Sequence, residues 1–245
     1  YTTGRNVTLT GADGDGFEGN ETSLVDGFAH IDELIGVAAA DDTLTGMDAD
    51  VAWEIDGSNT YTATATLDFT SFETLVGGSG DDTFNLIGTQ SHDLQGGDGD
   101  DRFVFANGAV LDGTIDGSDP APPLAAGQIG DTLDYSAYTT VVEVSFIDGT
   151  ATGTNGISEI ENFIGGNAAN RITGDEWNNI LVGGSSDDIL IGGLGDDTYV
   201  FPDGWGHDTV IENPGEGNDT FDFSGITGAT GALTFTFDTL PAAGV

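Results

Sequence analysis

Cysteine is absent from this sequence, which excludes a disulfide framework and any thiolate metal site. Small secreted domains often draw stability from disulfides, so a chain of this kind must find it elsewhere. Lysine is absent as well. Three arginines (Arg5, Arg102 and Arg171) face 43 Asp and Glu residues, for a formal charge of −40 over 245 residues. With so few cations the surface cannot neutralise phosphates, which argues against nucleic acid and anionic membrane as partners. No apolar run approaches the ~18 residues of a membrane span, so membrane insertion is not expected. No N-terminal signal peptide is recognisable. The histidines His30, His92 and His207 are far apart, and none lies in an H-E-x-x-H motif. A G-x-S-x-G elbow is missing too, and carboxylates are so abundant that no pair of them nominates a glycosidase. No enzyme activity is expected. Helix-favouring runs are scarce whereas glycine and β-branched residues are dense, so the chain reads as all-β.

What is present is glycine in register. From Gly165 to Val200 four nine-residue units run end to end: GGNAANRIT, GDEWNNILV, GGSSDDILI and GGLGDDTYV. The last matches G-G-x-G-x-D-x-U-x, with U a large apolar residue, at every fixed position. Two further full matches are GGSGDDTFN at 77–85 and GGDGDDRFV at 96–104. On these units the chain resembles the RTX (repeats-in-toxin) family of secreted bacterial proteins. The resemblance is specific over 72–104 and 165–222 and loose over 1–71 and 105–164. It implies a right-handed parallel β-solenoid, or β-roll, with glycine-rich calcium-binding turns and irregular β insertions. In that family two nonapeptides complete a coil, residues eighteen apart stack, and one Ca²⁺ lies between stacked turns. It also implies an extracellular place, secreted or on a cell surface.

The spelling of the unit has a physical basis. Turn glycines take left-handed dihedrals without steric cost, and the acidic sixth residue with exposed carbonyls offers hard oxygen ligands suited to Ca²⁺. The apolar eighth residue points inward: Phe84, Phe103, Ile172, Ile180 (shifted by one), Leu190 and Tyr199. The metal candidates are Gly78, Gly80 and Asp82; Gly97, Gly99 and Asp101; Asn170 and Asn179; Gly184, Ser186 and Asp188; and Gly193, Gly195 and Asp197. Stacking pairs Asp188 with Asn170, Asp197 with Asn179 and, with one extra residue, Asp82 with Asp101. The last pair brings two carboxylates and ranks first. For 165–182 the alternative is an asparagine ladder through Asn170, Asn178 and Asn179 that needs no metal. Asp208 and Asp219 lie in worn turns over 204–222, as weaker candidates.

Two other features invite a site reading. His92 falls at the sixth place of a weak unit, 87–95, where it reads as a structural replacement for an aspartate. Asp13-Gly-Asp-Gly-Phe-Glu18 starts like an EF-hand loop, but Phe17 breaks the register. Either Asp13, Asp15, Glu18 and Glu21 hold an ion, or the segment is a solvated acidic turn.

A longer repeat organises the chain. IDELIG at 31–36, FETLVGG at 72–78 and IENFIGG at 160–166 share an acidic second place and two apolar residues before glycine. Residues 117–128, rich in Pro, Ala and Gly, read as a surface loop between an N-terminal segment, 1–116, and a C-terminal one, 129–245. Alternating strands are expected within 51–76 and 232–238, and a buried strand at 139–147. Trp53, Trp177, Trp205, Phe221 and Phe223 are expected to plug coil ends or flank insertions; a carbohydrate platform is the sharper reading of the tryptophans.

The leading functional expectation is a non-catalytic calcium-binding structural module of a large secreted bacterial protein, such as an adhesin, sheath, S-layer or matrix fibre. Its partners would be calcium ions and other copies or segments of the same protein. One alternative is an accessory roll that aids export and folding of a secreted enzyme or toxin. Another is a glycan- or ice-binding adhesin module, motivated by the T-x-T runs at Thr62–Thr66 and Thr234–Thr236, with cell-surface glycan as partner.

Overall fold

The computed structural model describes residues 4–37, 41–118 and 129–228. Among them there is no helix; the chain forms short strands in sheets that are largely parallel. The expectations for most of 117–128, for 232–238 and for Thr234–Thr236 fall outside the described residues.

Most strands span three or four residues, and their middle or alternate residue is the buried one: Thr43–Thr45, Thr83–Leu86, Arg102–Phe105, Arg171–Thr173 and Ile189–Ile191 all follow this pattern. That alternation suits a pleated surface with one face in the core, and Thr, Ile, Val and aromatic residues fit such a surface. An eleven-stranded sheet runs nearly the length of the protein. Its inward column is Trp53, Phe84, Phe103, Leu133, Phe163, Leu181, Tyr199 and Phe221, each paired in register with the next. The first seven of these are 0% exposed, whereas Phe221, at the end, is 40% exposed. The sheet continues across the 117–128 insertion, because Arg102–Phe105 pairs directly with Thr132–Asp134.

Parallel neighbours cannot be joined by a hairpin, so the chain must leave the sheet and return. It does so through a second sheet that shares the core. The inward column of this second sheet is Leu44, Leu75, Leu94, Ile115 and Ile157. This eight-stranded sheet ends at Gly156–Ser158. A five-stranded sheet then takes over, with Val144, Ile172, Leu190 and Val210 as its column. The exchange is made by the antiparallel pair Glu143–Ser145 and Thr150–Ala151, just ahead of the tandem nonapeptides.

Two expectations are corrected and a third is narrowed. Leu181, not Ile180, fills the inward place, so the unit 174–182 needs no shift. Segment 139–147 is only half buried: Val142 and Val144 face the core while Val141 and Ile147 are exposed. Of the two places expected for Trp53, it takes the flank of an excursion and not a coil end. It lies inside the long sheet, stacked on Phe84 at 5.5 Å and edge-on to Tyr61, where the antiparallel hairpins Ala52–Ile55, Thr60–Thr62 and Thr66–Thr70 meet the parallel stack.

Phe103 is 0% exposed, in the core that the two sheets share. Phe103 stacks on Phe84 at 5.1 Å. Replacing Phe103 by Ala is therefore expected to cost about 3–5 kcal/mol, read from urea unfolding. Leu194→Ala, at an exposed site, should stay within about 0.5 kcal/mol. Equal effects would refute a continuous core.

Candidate metal centre

Most of the parallel strands of the long sheet are entered through a turn that ends on a side chain accepting a hydrogen bond from the backbone of the turn before it. The N–H groups of Val51, Asp82, Asp101 and Asp131 donate to carboxylate oxygens of Asp82, Asp101, Asp131 and Glu161, at 2.9, 2.7, 2.7 and 2.8 Å. Further along, Asn179 N–H donates to Asp197 at 2.8 Å and Asp197 N–H to Asp219 at 3.1 Å. A second column precedes the five-stranded sheet: Val142, Asn170 and Asp188 donate to Asn170, Asp188 and Asp208, at 3.0, 2.6 and 3.0 Å. Buried N–H groups need partners, and these side chains supply them. The pairs Asp82–Asp101, Asn170–Asp188 and Asn179–Asp197 are thus adjacent in space.

The second side-chain atom separates aspartate from asparagine. Asn170 Nδ2 donates to the Gly183 carbonyl and Asn179 Nδ2 to the Glu161 carbonyl, both at 3.0 Å. An asparagine therefore satisfies its surroundings by itself. The Oδ2 atoms of Asp82, Asp188 and Asp197 are buried without a hydrogen-bond partner. At Asp82 the cause is plain: a Cβ on Gly77 would collide with both Asp82 Oδ2 and the Gly96 carbonyl oxygen, so these two acceptors face one small space. Asp42 differs, since Arg5 N–H and Val37 N–H donate to its two oxygens.

The electrostatics follow. Burial, with the neighbouring Asp101 charge adding to it, pushes the Asp82 carboxyl from 3.8 up to about 8. Burial raises Asp188 and Asp197 to about 7 and Asp208 to about 6. Near neutral pH such an oxygen either keeps a proton or is paired with a cation. Hard oxygen donors of this kind, two of them facing each other, suit a hard divalent cation.

Glycine makes the close stacking feasible. Gly78, Gly97, Gly99, Gly184, Gly193 and Gly195 all have left-handed φ, from +99° to +140°. Ser186 adopts φ 84° in the same role and donates from Oγ to the Asn167 carbonyl; Gly80 alone lies outside this region. In the Asp-Asp pairs of the nonapeptides the first residue is the more exposed one and ties turns together from outside, as Asp81 Oδ1 does for Asp100 N–H at 3.0 Å. The second is the buried one.

Other sequence candidates are placed differently. His92 lies on the opposite turn from Asp82 and Asp101, ahead of Asp93–Asp98, with Nδ1 2.8 Å from the Phe72 carbonyl. Asp13, Asp15, Glu18 and Glu21 do not converge. A hairpin of Asn6–Asp13 and Gly16–Glu21 sends Glu21 to Arg5 at 3.1 Å, and an exposed group forms instead from Asp13, Asp15 and His30. Asp42, Glu73, Asp131 and Glu161 take part in the ladders but escape the nonapeptide template. Their signal was local: an acid, then Thr or Asn, then a buried apolar residue, as in Asp131-Thr-Leu and Glu161-Asn-Phe, which Asp82-Thr-Phe shares. No family model matches the chain, and no curated protein matches it either.

Proposed function

We propose that the chain is a right-handed parallel β-solenoid whose glycine-rich turns bind calcium, and that it serves as a non-catalytic structural module of a large secreted bacterial protein. The observation that carries this is the acceptor facing an acceptor at Asp82, repeated as unpartnered buried oxygens at Asp188 and Asp197. Asp82 and Asp101, with the turns of Gly78, Gly80, Gly97 and Gly99, are the first site. Asp188 with Asn170 and Asp197 with Asn179 bring less charge, and Asp208 and Asp219 end the two columns. A bound divalent cation supplies neutralising charge there, in a chain whose formal charge of −40 otherwise opposes compaction. An extracellular setting fits, because calcium is plentiful there and the chain has no cysteine to crosslink. Partners on this reading are other copies or segments of the same protein. The role of an accessory roll beside a secreted enzyme rests on the same turns. A threonine-bearing glycan or ice face has less support: the positions in register just before the inward column read Thr83, Arg102, Thr132, Asn162, Ile180 and Thr198, which is no regular array.

Calcium titration of the chelator-treated chain, followed by far-UV circular dichroism, tests the proposal. A cooperative gain of β signal, absent with magnesium, is expected. An apo chain already fully folded and indifferent to calcium would overturn it. Sedimentation of the calcium-loaded sample tests the partner: a monomer at high concentration would refute self-association.

A further inference from the structure

The last turn of the long-sheet column is built differently from the rest. Asp197, Glu212 and Asp219 meet there, with one oxygen of each within 4.8 Å of the others. Asp197 is 0% exposed, and its Oδ2 has no hydrogen-bond partner. Glu212 Oε2 is also buried without one. Glu212 belongs to no nonapeptide. It follows the strand Thr209–Ile211, in a segment where the ladder spacing grows from 18 to 22 residues. The Tyr199 hydroxyl donates to Glu212 Oε1 and so holds that carboxylate across Gly192. A Cβ on Gly192 would collide with Asp197 Oδ2, the Tyr199 hydroxyl and Glu212 Oε1 together, so glycine is the condition for these oxygens to meet. Among the described residues, no ion pair joins any of the three acids to a basic side chain.

We propose that Glu212 and Asp219 join Asp197, the acid of the last Asn–Asp turn, in a three-carboxylate site for a divalent cation, which fastens the segment 209–222 to the end of the sheets. It rests on the reading of these turns as cation sites, but its third ligand comes from outside the repeat. Three carboxylates offer more charge than the Asn–Asp turns do, and affinity rises with ligand charge. Carboxylate oxygens within 4.8 Å of one another can share a Ca²⁺, which takes bonds of about 2.4 Å in a flexible geometry.

The test counts calcium ions bound to the full chain by equilibrium dialysis, with hydrogen exchange reporting on 209–222. Glu212→Gln should remove one ion or weaken it about tenfold or more and speed exchange in that segment. Asp219→Asn, at an exposed position and with an amide oxygen that can still accept from Asp197 N–H, should weaken the same ion. Asp82→Asn should leave it in place. If Glu212→Gln and Asp219→Asn bind as many ions as the parent with the same affinity, the site is overturned, and Asp197 and Glu212 share a proton instead. If Asp82 and Asp101 prove indifferent to calcium while a Glu212-dependent ion persists, the wider proposal fails and this one stands.

Discussion

Gly97→Ala is expected to cost about 3 kcal/mol or more. Two penalties coincide at Gly97. Its φ of +112° lies where an L side chain is strained, and an added Cβ would strike the Gly78 carbonyl oxygen of the adjoining turn. Backbone cannot swing aside as a flexible side chain can. The two turns would have to part, and with them the register of Thr83–Leu86 on Arg102–Phe105. Gly57→Ala isolates the first penalty. Gly57 has φ +94°, and an added Cβ there meets nothing within 4 Å. That change should cost only about 1 kcal/mol. Urea unfolding in calcium compares the two. Similar losses would show that turn contact contributes nothing beyond dihedral strain.

Asp82→Asn is expected to change sign with calcium. In chelator at pH 8 it should stabilise the chain, by on the order of 3 kcal/mol. In calcium it should instead raise the concentration needed for folding by about tenfold or more. The first half follows from burial. The folded-state pKa of Asp82 is raised from 3.8 to about 8, so its stabilising contribution is complete below pH 4 and is lost as pH rises toward 8. Asp188 and Asp197, raised to about 7, act in the same direction. The chelated parent should therefore be most stable near pH 4 and weaken steadily to pH 8, and Asp82→Asn should flatten part of that slope. An asparagine is accommodated because Asn170 already shows the geometry: its Nδ2 donates to the carbonyl of Gly183, the counterpart of Gly96. The second half follows from the lost carboxylate. Destabilisation by Asp82→Asn in both conditions would mean that Oδ2 is neither a charge penalty nor a cation ligand. Thermal unfolding at fixed pH, with and without calcium, decides.

The nonapeptide register was enough to pair Asp188 with Asn170 and Asp197 with Asn179, because 18-residue spacing is uninterrupted there. It paired Asp82 with Asp101 as well. It could not reach Asp131 or Glu161. Each lies 30 residues from its ladder partner, across an excursion that leaves no period to count. Loop closure of that length costs little more than a short one, so a long insertion can interrupt the spelling of the repeat without interrupting the sheet. Glu212 was hidden for a related reason, since it reaches Asp197 from a widened segment with no repeat of its own.

What the sequence alone determined is local. A dense supply of glycine and β-branched residues, alternating over three or four positions, dictates short strands and tight turns, because dihedral freedom and side-chain alternation are properties of single residues and their neighbours. What only the tertiary structure decided is which acids share a column and which of their oxygens lack a partner. Asp42 and Asp82 precede the same Thr-apolar pair in sequence, yet one has both oxygens hydrogen-bonded and the other has Oδ2 buried against a carbonyl. That difference is set by chain segments tens of residues away, where burial and the nearest donor or acceptor fix the cost of a charge.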